Sequence, residues 1–241
     1  MTQPGALEHG HSPEEVHERL REAGGSAHLK DFVYGSIDGT VTTFAIVAGV
    51  EGAGLPYSVI VALGLANVLA DGFSMAAGNY TGTKAELDNR RRLAEVESRH
   101  IRLVPEGERE ELRQILERIG LHGPVLGDAV RMIAANKGKW VRLMLTEEYG
   151  LPAARPRPMR SALATFAAFV AAGVFPLMPY ILSLSAAFAA SIGTTALVFA
   201  VIGACKSRWS QVPMWKSALE TLVIGGSAAA IAYGVGAMFH P

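Results

Sequence analysis

Hydrophobic and polar positions divide this chain into blocks. Residues 32–54 and 57–83 are apolar and almost free of charge, residues 84–160 are densely charged, and apolar stretches return at roughly 161–183, 186–205 and 217–239. A helix of about 20 residues crosses a hydrocarbon core, so the pattern predicts five membrane-spanning helices. The charged insert has its own helical periodicity: Leu112, Ile115, Leu116 and Ile119 recur as one stripe. Gly120 and Gly150 suit helix stops, which predicts three insert helices over about 85–103, 106–120 and 124–149. Nothing in KAELDNRRRLAEVESRH breaks a helix, so the first of these continues the second span and carries the insert away from the bilayer. Residues 152–158, rich in proline, make a stiff linker back to the third span. The predicted fold class is all-α: a polytopic membrane protein with five transmembrane helices and a cytoplasmic three-helix insert. Its expected divisions are an N-terminal segment 1–30, spans one and two in 31–83, the insert 84–158, and spans three to five in 159–241.

The basic residues orient these spans. Three precede the first span, 16 lie between 84 and 160, and three (Lys206, Arg208 and Lys216) lie between the fourth and fifth spans, which accounts for all 22. Positive loops stay on the cytoplasmic side, so the N-terminus and residues 84–160 are expected there. The opposite connections carry no Lys or Arg. The 22 acidic residues cancel the total charge, which gives no signal for nucleic acid. Cys205 is the sole cysteine, so neither a disulfide framework nor a four-cysteine zinc site is available. The polar first 30 residues lack the apolar core of a secretory signal, and none is expected. There Ser12, Pro13 and Glu15 read as a capping box opening a short helix, with Gly24-Gly25 as its stop. His9, His11, His17 and His28 read either as a metal-collecting tract or as scattered surface histidines.

Candidate chemistry sits in both blocks. In the insert, Glu97 and His100 are three residues apart, Glu108 and Glu111 three apart, and Met144 and Glu148 four apart, so each pair shares a helix face. Carboxylate and imidazole at that spacing gather iron and manganese in helical bundles, and a thioether favours softer ions than Mg²⁺ or Ca²⁺. The bland alternative is a solvated face pairing with Arg99, Arg102, Arg109 and Arg113. In the membrane, Asp38 and Asp71 lie near mid-span, where a carboxylate costs about 2.5–3.5 kcal/mol and normally faces a cavity, a partner or an ion path. Asn67, Asp71, Met75 and Asn79 recur every four residues along the second span. They form either a ladder of metal ligands or an interhelical hydrogen-bond ladder. Asp38 lies between Gly35 and Gly39, small residues that allow close approach of another helix, here read as the same helix of a second subunit. Two facing Asp38 carboxylates would repel and make one of them a proton carrier. Glu220 is expected to pair with Lys216. Pro176 and Pro179 break the third span, freeing carbonyls to line a cavity or simply to pack. Trp209, Trp215 and Tyr180 fit interfacial anchoring without chemistry.

The blocks DFVYGSIDGTVTTFAIVAGV and NVLADGFSMAAGNYTGTKAE, then a helical acidic insert ending WVRLMLTEEYGL, then three more spans, together resemble the vacuolar iron transporter family, which includes bacterial members. The resemblance runs from about residue 29 to 239. It implies five spans, a homodimer with the path at the subunit interface, a cytoplasmic metal-binding domain, and export of cytosolic Fe²⁺ in exchange for protons. By position it implies pathway roles for Asp38 and Met75 and ligand roles for Glu97, Glu108, Glu111, Met144 and Glu148. His100 stands where a glutamate is usual, Leu145 where a second methionine is common, and Asn67 where some members have a glutamate. The insert site therefore has one carboxylate and one thioether fewer, and Asp71 supplies the charge that Asn67 lacks.

The expected function is thus a divalent metal transporter, not an enzyme. Fe²⁺ is the expected ion, with Mn²⁺, Co²⁺ and Zn²⁺ as alternatives, and a homodimer, the lipid bilayer and protons are its partners. The rival readings are a membrane-tethered carboxylate di-iron oxidase and a metal sensor. The oxidase needs a second Glu-x-x-His pair, and the insert has one. A sensor needs no Asp38 or Asp71 buried in the membrane. High Ala, Gly and Arg usage points to a bacterial inner membrane.

Overall fold

The computed structural model describes residues 11–22, 27–207 and 212–240. His9, Gly24, Gly25 and Trp209, and the side chain of His28, lie outside the described residues. Among the described residues the chain is helical and has no strand. In chain order the helices are α1 (Pro13–Glu22), α2 (Ala27–Gly52), α3 (Tyr57–Leu103), α4 (Pro105–Arg118), α5 (Gly123–Ala134), α6 (Lys137–Glu147), α7 (Pro158–Gly173), α8 (Met178–Ile181), α9 (Ala187–Ser207) and α10 (Met214–Met238). Five helical segments are long and apolar enough to cross a membrane: Leu29–Gly52, Tyr57–Leu103, Pro158–Ile181, Ala187–Ser207 and Met214–Met238. The chain forms two compact units. One comprises Met1–Gly25 and Thr83–Arg157, here the charged unit, and the other Ser26–Gly82 and Pro158–Pro241, the membrane unit. α3 runs unbroken through residues belonging to both.

In the membrane unit α2 packs against α7, α10 and α9. Lipid tails are as apolar as leucine, so helices there associate by close fit rather than by escape from water. Small residues supply that fit. A Cβ on Gly35 would lie 2.5 Å from the Thr165 carbonyl oxygen, and one on Gly39 would run into the backbone of Phe169. The close neighbour of the first span is therefore α7 of the same chain, not the first span of a second subunit, because the missing glycine side chains are already used to seat α7. On its other side α2 meets α10, where Gly236 abuts the Gly49 carbonyl. Val47, Ile60, Val68 and Leu177, each at most 1% exposed, fill the core between these helices.

The third span is broken as its prolines dictate, into α7, a single 3-10 turn at Phe175–Leu177, and α8. Two carbonyls at the break are met by α9. The Ser191 hydroxyl donates to the Pro176 carbonyl at 2.7 Å, and the Thr194 hydroxyl donates to that of Phe175 at 3.4 Å, so α9 satisfies the break.

The charged unit has a separate core of Leu112, Ile115, Leu116, Leu126, Trp140 and Met144. α4 ends just before Gly120, whose φ of 103° only glycine adopts without strain. The single helix expected over 124–149 is two. Asn136 ends the first and caps the second, its side chain accepting from the Lys139 amide at 3.1 Å, and an asparagine oxygen there replaces a helical partner the amide would lack. The insert thus holds α4, α5 and α6 beside the polar half of α3. At the N-terminus the capping box forms as read: Ser12 N donates to Glu15 Oε2 at 3.0 Å and Glu15 N to Ser12 Oγ at 3.2 Å.

Candidate functional site

In the charged unit the acids of α4 separate onto two faces. Glu106 pairs with Arg109, and Glu110 and Glu117 pair with Arg113 at 2.7 and 2.9 Å. These exposed pairs leave Glu108 to the inner face, where it is 4% exposed. Glu97 of α3 is 1% exposed, and its carboxyl lies within hydrogen-bonding reach of Glu108. His100, one turn on from Glu97, places Nδ1 3.4 Å from Glu108 Oε1. Tyr149, just past α6, donates its phenol to Glu97 Oε1 at 2.8 Å. Oε2 of Glu97 and Oε2 of Glu108 are both buried and accept from no N–H or hydroxyl among the described residues.

The electrostatics follow from this crowding. Burial pushes the Glu108 carboxyl up to about 7, and the charges of Glu97, Glu111 and Glu148 push it in the same direction. Burial also raises Glu148, helped by Glu97 and Glu111. Tyr149 is raised by burial and by its bond to Glu97. Four carboxylates, two of them buried and two exposed, thus feel one another, and among the described residues no arginine is bonded to them. Met144 is fully buried, in the apolar cluster with Leu112 and Trp140. Among the described residues no three His, Cys, Asp or Glu side chains already stand in a geometry that could hold an ion. The donor chemistry nevertheless fits a divalent cation: two buried oxygens without donors, an imidazole and further carboxylates.

In the membrane unit Asp38 is half-buried and close enough to Asp71 for the two charges to repel. Asn67 and Asp71 line an open groove of about 490 Å³ with Ile46, Gly49, Val50 and Leu63. The Asn67 amide nitrogen is buried and has no partner among the described residues. Met75, one turn on from Asp71, is half-buried. Asn79 donates to Asp31 Oδ1 at 2.8 Å and to Thr165 Oγ1 at 2.7 Å, so its amide ties α3 to α2 and α7.

Two expectations about polar residues change. Glu220 pairs with Lys206 across α9 and α10 at 3.1 Å, while Lys216 lies over the Trp215 ring, 5.4 Å from its centroid. Tyr180 is no interfacial anchor. It is 3% exposed, its phenol donates to Glu51 Oε2 at 3.1 Å, and Tyr57 meets its ring edge-on. The proline break turns the chain inward at this point, which helical periodicity does not register. Tyr149 escaped sequence reasoning because it follows the last helical turn and meets a residue 52 positions away.

The profile of the VIT family matches residues 29–237. A protein of Oryza sativa subsp. japonica named vacuolar iron transporter 1 is 34% identical over 210 residues, covering 86% of this chain and 83% of its own. The vacuolar iron transporter 1 of Eucalyptus grandis is 32% identical over 240 residues, 96% of each chain. The vacuolar iron transporter of Toxoplasma gondii is 32% identical over 227 residues, 89% of this chain and 75% of its own. All three are named for a vacuole, so they lend nothing to the expectation of a bacterial inner membrane. Five helices long and apolar enough to cross a membrane, matched from the first almost to the end of the last, make this integral membrane protein a member of the VIT family.

Proposed function

We propose that this protein exports Fe²⁺ from the cytosol across its membrane in exchange for protons, working as a homodimer, with the charged unit collecting the ion on the cytoplasmic side. That it is a metal-ion transporter and not an enzyme rests on the family and on the relatives named for iron transport. The observation that carries the mechanism is the pair Asp38 and Asp71, two carboxylates on α2 and α3 near enough to repel, of which Asp71 lines an open groove. Two negative charges so placed favour either protons or one divalent cation. An arriving ion displaces the protons, and returning protons release the ion. Met75 adds a thioether, a softer ligand that suits Fe²⁺ over Ca²⁺. Asn67 offers an amide oxygen, and Asn79 holds the helices that frame the path.

In the charged unit, Glu97, His100, Glu108, Glu111, Met144 and Glu148 take up the ion. Carboxylates bind metal only when deprotonated, so loading opens the Glu97 and Glu108 pair and releases its proton. The same donors admit Mn²⁺, Co²⁺ and Zn²⁺. The second copy closes the groove, which lies open along Leu63, 50% exposed. The positive residues of 84–160 and 206–216 support the cytoplasmic placement of the charged unit.

The test uses proteoliposomes loaded with a pH dye and given a gradient of each metal. The native protein is expected to move Fe²⁺ and to drive protons the other way, and Asp38→Asn to abolish both. Undiminished flux in Asp38→Asn removes that residue from the path. Native protein that moves none of Fe²⁺, Mn²⁺, Co²⁺ or Zn²⁺ under any gradient overturns the function.

A further inference from the structure

We infer that Tyr149 is the residue that sets metal preference in the charged unit, by holding one oxygen of Glu97 so that the carboxylate presents only the other to an ion. The inference rests on the metal-collecting reading above and deepens it. Its basis is a difference between two oxygens of one side chain. Glu97 Oε1 accepts the Tyr149 phenol at 2.8 Å, whereas Oε2 is buried and accepts from no N–H or hydroxyl among the described residues, which leaves it to share a proton with Glu108 or to meet an ion. Glu97 is 1% exposed, so water does not supply the missing donor from bulk. A carboxylate held this way is oriented before any ion arrives and offers one free oxygen.

That geometry discriminates by coordination habit. Ca²⁺ takes 6–8 oxygens and readily uses both oxygens of a carboxylate, at about 2.3–2.6 Å. Smaller first-row ions such as Mn²⁺ and Fe²⁺ take fewer ligands than Ca²⁺ at shorter distance, and imidazole nitrogen suits Fe²⁺ beside oxygen. His100, with Nδ1 3.4 Å from Glu108 Oε1, supplies nitrogen one helical turn on from Glu97. Occupying Oε1 with a phenol therefore withholds what the larger ion needs while leaving what the smaller ion uses. Hydrogen-bond partners of ligands orient them in this manner, and their loss costs about 10–100-fold in affinity. Tyr149 is a positioning residue in this account: it need not touch the ion.

The experiment titrates Mn²⁺ into purified full-length protein and reads the EPR signal of the free ion, with Ca²⁺ as competitor. In native protein Mn²⁺ is expected to win by a wide margin. Tyr149→Phe keeps the ring and removes the donor, and is expected to weaken Mn²⁺ about 10-fold while Ca²⁺ weakens less or gains, so the preference narrows. Mn²⁺ and Ca²⁺ affinities that stay unchanged, or fall in parallel, overturn the inference, because a packing role alone does not separate the two ions. Infrared difference spectra of metal-loaded minus metal-free protein supply a second readout, also usable on Tyr149→Leu should the first variant fold poorly. The Glu97 carboxylate bands, identified with Glu97→Gln, are expected to shift from one-oxygen to two-oxygen binding when the phenol is lost, and bands that stay in place overturn the inference. Native protein that binds no Mn²⁺, or Glu97→Gln that binds as well as native protein, overturns the metal-collecting reading itself and is distinguishable from either result on Tyr149.

Discussion

The two units solve one problem differently: how to keep carboxylates where water is scarce. The charged unit buries Glu97 and Glu108, sets the exposed Glu111 and Glu148 close enough to repel them, and supports the buried pair with a phenol and an imidazole, while Arg109 and Arg113 pair with other acids. Burial and repulsion there leave one carboxyl holding its proton near neutrality. The membrane unit has no arginine or lysine in residues 32–54 or 57–83 to draw on. It places Asp38 and Asp71 on different helices and leaves an open groove along Asp71. A crowded cluster suits capture, because a cation relieves several repulsions at once. A sparse pair suits passage, because an ion bound by fewer ligands leaves more readily.

The largest effect tests the scaffold of the sparse pair. Gly39→Leu is expected to leave no folded protein, since a side chain there meets the backbone of Phe169 on α7, which cannot move aside. Its cost exceeds the about 1–3 kcal/mol of ordinary overpacking, and loss of the monodisperse peak in detergent reads it. Next comes a split between capture and passage. Asp71→Asn is expected to cut maximal flux by about 100-fold while the Mn²⁺ affinity of the charged unit stays put. Glu97→Gln is expected to weaken capture by about 10-fold or more and to leave maximal flux at saturating metal nearly intact. Equal effects of both substitutions on both measurements would erase the distinction between the units.

How much of this was legible in the chain follows from which interactions are local. The five spans rest on runs of apolar residues, and the capping box of Ser12 and Glu15 on a spacing of three, so both could be read directly. The pairing of Glu97 with His100 and of Glu108 with Glu111 on shared faces follows from helical period. What stands opposite a face does not. Gly35 and Gly39 announce a close helix without saying whose, and it is α7. Glu220 had a basic residue one turn away in Lys216, yet its partner is Lys206 on the neighbouring helix. Tyr180 and Tyr149 lie beyond a helix break and a helix end, where the direction of a side chain depends on tertiary packing.

The third effect sharpens the comparison through pH. The Glu108 carboxyl ordinarily titrates near 4.5 and in the fold near 7. A raised acid contributes its full stability below 4.5 and loses it as pH rises through 7. The metal-free charged unit is therefore expected to melt at lower temperature as pH climbs across that window. The loss is bounded at about 3 kcal/mol, because each pH step of one between the two titration points is worth about 1.4 kcal/mol. Glu108→Gln, neutral at every pH, is expected to flatten the profile, and saturating Mn²⁺ to reverse its slope by binding the deprotonated site. A profile unaffected by Glu108→Gln would place the crowding elsewhere in the cluster.

The smallest effect concerns the joint that gives the charged unit its extra helix. Asn136 caps α6 through its side-chain oxygen, exposed and remote from the acids in sequence. Removing such a cap typically costs about 1 kcal/mol, so Asn136→Ala is expected to lower the melting temperature by a few degrees. α6 carries Met144, and Glu148 and Tyr149 follow directly from its end. If the cap serves stability alone, Mn²⁺ affinity stays constant while the melting point falls. If α6 must start at residue 137 for Tyr149 to reach Glu97, affinity and melting temperature fall together, and the preference for Mn²⁺ over Ca²⁺ narrows as it does when the phenol is removed. The reach favours the second outcome, because the 2.8 Å bond from Tyr149 depends on where the last turn of α6 ends, and that turn is counted from its cap.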